Sequence, residues 1–248
     1  MSDALTLSIR CLRISRREVD TLIMAIVLPV FLMVMFVEFF GNAIHAGTAH
    51  YVTYVVPGVL LLCAGYGSGM TAVAVCRDVS GGVIDRFRSM DVRGASLLAG
   101  HVVASATRNL VSVLVVLAVA LLLGFRPHVD AVNWLLAAGI GLAFILAISW
   151  LSAALGLLAD NPDAAQGVTF GIMFLPYASS AFVPVQTMPT WVRGFAAHQP
   201  ITPIANELRH LLAGIPTTSS IWLALAWCAG ITTVSIAASG WLFARRAK

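Results

Sequence analysis

Six stretches of this chain stay apolar for about twenty residues each, and no other feature limits its fold so tightly. They run near Thr21–Phe40, Tyr54–Val75, Leu97–Leu123, Asn133–Leu158, Gln166–Val183 and Ile221–Phe243. A helix that crosses the roughly 30 Å hydrocarbon core needs about 20 such residues. Composition agrees. The chain is 59% hydrophobic and 10% charged, against about 45–50% apolar for a soluble domain, and so little charge could not cover a soluble surface. The expected fold is an all-α polytopic membrane protein with six transmembrane helices, forming one domain over residues 1–248.

The charges follow a topology. Basic islands lie at Arg10–Arg17, Arg77–Arg93 and Arg245–Lys248, with only Arg108, Arg126, Arg193 and Arg209 elsewhere. Cytoplasmic loops collect Arg and Lys. With an N-terminus inside, all three islands fall on the cytoplasmic side, and both termini are cytoplasmic. The net charge of +4 is therefore a matter of topology, and no nucleic-acid partner is implied. Within Arg77–Gly94, Val83, Ile84, Phe87 and Met90 recur at helical spacing, with Asp85, Arg86 and Arg88 between them. That is a short amphipathic helix, placed to dock a soluble partner through residues 76–94. Phe87 and Met90 would anchor the contact, and Asp85, Arg86 and Arg88 would orient it. Asp78 and Gly82 are included as candidate docking residues.

Several chemistries are excluded. The one lysine is Lys248, so no P-loop can form, because its Lys must reach the β/γ-phosphates. The chain is not expected to be an enzyme. Any ATP and Mg²⁺ belong to another subunit, and no cofactor is expected here. Cys11, Cys63, Cys76 and Cys228 form no C-x-x-C, and no H-E-x-x-H occurs, so no metal site is expected. Gly65-Tyr-Gly-Ser-Gly69 matches neither a nucleophile elbow nor a dinucleotide loop; Gly65 and Gly69 read as a close-packing pair.

Leu5 to Ile14, interleaved with arginines, suggests an interfacial helix within residues 1–20. The apolar core that follows is too long for a cleaved signal, so Thr21 onward reads as a retained span. Residues 184–220 are semi-apolar and rich in proline, which suggests two short helices broken at Gln199–Pro200 that dip into the outer leaflet. Four ionisable groups are candidates for the substrate pathway or gating, because charge in a membrane is costly. They are Glu38, Arg108, Glu207 and Arg209. Arg108 either lines a polar cavity or sits on a cytoplasmic projection of the long third helix, a projection that would need no substrate role. Glu207 and Arg209, two apart, should point to different faces of one helix.

Two stretches then resemble a known family. Gly82-Val-Ile-Asp-Arg-Phe-Arg-Ser-Met90 looks like the cytoplasmic loop after span two of the ABC-2-type exporter permeases, especially the daunorubicin-resistance branch. Phe182-Val-Pro-Val-Gln-Thr-Met-Pro-Thr-Trp191, His198-Gln-Pro-Ile-Thr-Pro203 and Leu208-Arg-His-Leu-Leu-Ala-Gly214 look like that family's signature between spans five and six. Ala159-Asp-Asn-Pro-Asp-Ala-Ala-Gln166 is a weaker match. The resemblance implies a multi-pass protein of a bacterial cell membrane. It implies two permease subunits, as a homodimer or heterodimer, with two copies of a separate ATP-binding subunit docked by the N-terminal helix and Gly82–Met90. The outer re-entrant helices would close the exit, and substrates would be amphipathic drugs, lipids or glycolipids. The alternatives are a stand-alone ion-coupled transporter, disfavoured by the lack of ionisable groups at the centres of five spans, and a sensor or immunity protein that transports nothing.

Overall fold

A computed structural model describes residues 10–11, 19–40, 51–82, 94–127, 129–215 and 220–246. Every regular element among the described residues is helical. In chain order these are α1 (Val19–Phe40), α2 (Tyr51–Ser80), α3 (Gly94–Leu122), α4 (Ala131–Leu158), α5 (Pro162–Phe174), α6 (Thr190–His198), α7 (Ile201–Leu212) and α8 (Ser220–Arg246). Two 3₁₀ turns, Leu175–Ala178 and Val185–Thr187, separate α5 from α6.

Among the described residues, four helices are long and apolar enough to cross a membrane: Tyr51–Ser80, Ser96–Leu122, Ala131–Leu158 and Ser220–Phe243. At 1.5 Å per residue each reaches about 36–45 Å. A shorter apolar helix covers Ala25–Phe39. The fifth expected span is interrupted. α5 stops at Phe174 after 13 residues, about 20 Å, and the chain tightens into the 3₁₀ turn that contains Pro176. Proline lacks the N–H that would continue the ladder.

Local chemistry explains the helix ends. The Asp130 carboxylate accepts from Asn133 N at 3.2 Å to start α4, and Asn161 accepts from Ala164 N at 2.8 Å to start α5, with Pro162 in the first turn. Both are side-chain N-caps. α3 ends where Gly124 takes φ +93 and Phe125 N returns to Ala120 O at 3.0 Å, a left-handed stop that glycine adopts freely.

α2 is the hub, packed against α1, α3, α4, α5 and α7. Its apolar residues point in every direction, as in a helix enclosed all round. Small residues permit close approach. A Cβ at Gly58 would strike the Ala181 backbone, one at Gly69 would strike Thr169, and one at Gly156 of α4 would strike the Ala72 backbone. The expected Gly65–Gly69 pair is half right: the Cβ direction at Gly65 meets nothing, and Gly67, pressed on Asn109, takes its place. By contrast α8 leaves Trp222, Trp227, Val234 and Trp241 exposed, a surface suited to lipid or a second subunit.

α2 also starts earlier and ends later than expected. Cys76–Ser80, assigned to a cytoplasmic loop by sequence, is helical, and the turn comes at Gly81–Gly82, where Gly82 has φ +70. The break at Gln199–Pro200 falls where proline spacing put it, between α6 and α7.

Candidate functional site

Polar groups that an apolar bundle cannot leave unpaired gather at three depths along α2. At the C-terminal end of α2, the inner end in the topology expected from sequence, Asp78 Oδ2 accepts from Arg10 Nη1 at 3.2 Å and from His101 Nε2 at 3.0 Å. The Asp78 and His101 side chains are only 18% and 10% exposed, so this carboxylate is turned inward. Gly82 is exposed in the turn after α2. Asp85, Arg86, Phe87, Arg88 and Met90, and all of the interfacial helix except Arg10 and Cys11, lie outside the described residues.

Midway along α3, Arg108 Nη2 donates to Gly67 O at 3.3 Å and to Thr71 Oγ1 at 3.1 Å. Its guanidinium lies against α2. The next residue, Asn109, donates through Nδ2 to Ser68 Oγ at 2.8 Å and to Ser105 Oγ at 3.5 Å. Ser149 Oγ of α4 closes the network, 3.2 Å from Ser68 Oγ and 2.9 Å from Ser105 Oγ. All four residues are fully buried. Such interhelical hydrogen bonds fix the mutual register of membrane helices.

At the N-terminal end of α2, the outer end in that expected topology, Arg209 of α7 fastens three segments. Nε donates to Tyr54 O at 3.2 Å, Nη1 to Asn206 Oδ1 at 2.7 Å and Nη2 to Ser180 O at 2.9 Å. The guanidinium sits 3.7 Å from the centre of the Tyr54 ring, within cation–π range. Burial lowers the guanidinium pKa from its ordinary value. Tyr54 and Tyr51 hydroxyls donate to Ser180 O and Phe182 O at 2.9 and 2.8 Å, and Gln199 Nε2 donates to Leu175 O and Ala178 O, both at 3.0 Å. Glu207 faces the other way, fully buried, and accepts from Ser220 Oγ of α8. The two residues thus point to different faces, as their spacing required. Glu38 is exposed in the last turn of α1. The four candidates therefore do not form one cluster: Glu207 and Arg209 lie on different faces of α7, Arg108 is midway along α3, and Glu38 is at the end of α1.

Between these levels lies an apolar groove of about 250 Å³, lined by Leu60 and Ala64 of α2, Leu110 and Leu117 of α3, and Trp134 and Phe144 of α4, among others. Among the described residues no group of His, Cys, Asp and Glu is arranged to hold a metal ion.

Comparison with known proteins decides the family. The family model described as ABC-2 type transporter matches residues 4–213. This chain belongs to the ABC-2 type transporter family. It is 28% identical over 214 residues to the daunorubicin resistance ABC transporter permease protein DrrB1 of Streptomyces coeruleorubidus, covering 86% of this chain and 76% of the relative. It is 31% identical over 219 residues to the probable doxorubicin resistance ABC transporter permease protein DrrC of Mycobacterium tuberculosis, covering 88% of this chain and 79% of the relative. These relatives are permease subunits of ABC transporters, from bacteria. This ABC-2 chain is a multi-pass membrane protein, and every regular element among its described residues is helical.

Sequence reading missed most partners in the ABC-2 bundle. Tyr54, Ser180, Asn206 and the Ser68–Ser105–Ser149 set were not singled out. One signal was available for part of this. Ser105, Asn109 and Ser112 recur at spacings of four and three, one face of α3, and all three are fully buried.

Proposed function

We propose that this chain is the membrane-spanning permease subunit of an ATP-driven exporter, moving an amphipathic drug, lipid or glycolipid outward while a separate subunit hydrolyses ATP. The observation that carries this is the ABC-2 match over residues 4–213 in a chain whose single lysine cannot build a P-loop. Names of relatives that refer to daunorubicin and doxorubicin resistance favour a drug-like amphiphile. The complete subunit has six spans with both termini cytoplasmic, in the cell membrane, and forms one domain. Two such subunits, alike or different, pair and dock two ATPase copies, with ATP and Mg²⁺ held on the ATPases. Docking uses the N-terminal interfacial helix and the helix around Gly82–Met90, with Phe87 and Met90 as anchors and Asp85, Arg86 and Arg88 setting orientation; Asp78, whose carboxylate is turned into the protein, is not part of that contact. ATP-driven closure of the ATPases moves this cytoplasmic segment, and the spans rock to open a path outward. The Arg209 cluster, with Glu207 behind it, keeps the outer helices α6 and α7 shut at rest.

Uptake of doxorubicin into inverted vesicles tests the reading. Vesicles that contain the chain and its genomic partner ATPase should accumulate the drug only with hydrolysable ATP. Accumulation that follows a proton gradient and ignores ATP would move the protein to the ion-coupled class.

A further inference from the structure

Asp78 was a candidate for touching the ATPase, yet its carboxylate points into the protein. Its Oδ2 receives two donors from two other segments: Arg10 from the N-terminal segment and His101 from the second turn of α3. The same stretch of α2 is fixed on its far side. Cys76 Sγ donates to Ala159 O at 3.6 Å, in the α4–α5 connection, and the Ala72 backbone lies so close to Gly156 that no side chain fits between them. Four segments therefore converge on the last turns of α2, immediately before the turn at Gly81–Gly82 that leads into the proposed docking helix.

We propose that Asp78 is a positioning residue for transport, pinning the N-terminal segment and α3 to the inner end of α2 so that displacement of the docking segment moves them as one body. The inference rests on the exporter reading above. Its physical basis is the continuity of α2, which remains one helix through Pro57. α2 is a single helix from Ser80 to Tyr51, about 45 Å long, and its outer end carries the Tyr54 ring and carbonyl that hold Arg209. Motion delivered at Ser80 reaches that outer lock through one helix. Without the Asp78 carboxylate, both the positive Arg10 and the His101 N–H lose their shared acceptor, and the last turns of α2 are no longer tied to the N-terminal segment and the first turns of α3, although Arg108 and Asn109 still hold the middles of the two helices together.

The test uses the complex of this chain with its partner ATPase in lipid nanodiscs. Two quantities are read: the ATPase-to-permease ratio after purification, and the change in hydrogen–deuterium exchange of α7 on adding ATP with vanadate. Wild type should retain the ATPase and show a faster-exchanging α7. Asp78→Asn should keep the ATPase ratio while the α7 response falls about tenfold, the scale of an ordinary coupling free energy. Asp78→Glu should restore most of the response. Arg10→Gln, at a partly exposed side chain whose loss threatens folding least, should weaken the response as well and should not add to Asp78→Asn, since both act through one contact. An unchanged α7 response in Asp78→Asn and Arg10→Gln overturns the proposal. Loss of the ATPase from Asp78→Asn also overturns it and makes Asp78 a docking contact instead. A wild-type chain that retains no ATPase fails earlier, and removes the exporter reading itself.

Discussion

The two ends of α2 are held by opposite means. At the outer end a half-buried guanidinium reaches two backbone carbonyls, an amide oxygen and an aromatic face. At the inner end one carboxylate meets two side chains, one of which, Arg10, is 37% exposed. Backbone acceptors cannot rotate away, whereas side-chain partners near water exchange readily, and partly exposed ion pairs contribute little to stability. The outer end is thus built as a clamp, and the inner end as a joint that can transmit movement at low energetic cost.

Substitutions can break or sharpen that contrast. The largest effect is expected from Arg209→Met, which removes three charge-assisted hydrogen bonds and the contact with the Tyr54 ring, although Ser180 O keeps the Tyr54 hydroxyl. Hydrogen bonds to charged groups contribute about 1.5–3 kcal/mol each, so the thermal midpoint in detergent should fall sharply. Arg209→Lys should recover only part of it, because an ammonium cannot span the same fork. An unchanged midpoint for Arg209→Met would mean that the outer end is not a clamp.

Gly58→Ala comes next. Its Cβ strikes the Ala181 backbone, and overpacking of this kind costs about 1–3 kcal/mol. Gly156→Ala, striking Ala72 at the inner end, should cost a similar amount. Equal losses would show that the ends differ in their polar contacts and not in packing. A much smaller loss at Gly156 would show that the whole inner end is soft. Asp78→Asn should lower stability by about 1 kcal/mol or less, visible as a small shift of the same midpoint, although its effect on coupling is large. Smallest of all is Gly65→Ala, where the added methyl meets nothing. No loss is expected there, and a loss comparable to that at Gly58 would contradict the packing described for α2.

What sequence made legible follows from range. Apolar runs and proline positions are local, so the long helices and the α6–α7 break could be placed directly. Span five looked continuous because Leu175, Tyr177 and Ala178 are as apolar as a helix requires, yet Pro176 and the tertiary demands of Ser179 and Ser180 break it. Ser180 is pinned by Thr202, Asn206 and Arg209, partners more than twenty residues away that no local pattern reveals. Arg108 shows the same limit. Its position within a long apolar helix was plain, but the carbonyl that accepts its proton belongs to Gly67 of another helix. Spacing did suffice for Glu207 and Arg209, since a separation of two on one helix dictates opposite faces.

The central claim is that this permease works through an ATPase docked at its cytoplasmic side, and affinity purification in mild detergent tests it most directly. The tagged chain should carry a P-loop ATPase at about one copy per permease. That ATPase should be lost in Phe87→Asp, which places a charge in the apolar anchor, and kept in Gly65→Ala. A wild-type chain that purifies without any ATPase, or a Phe87→Asp chain that retains it in full, would contradict the account.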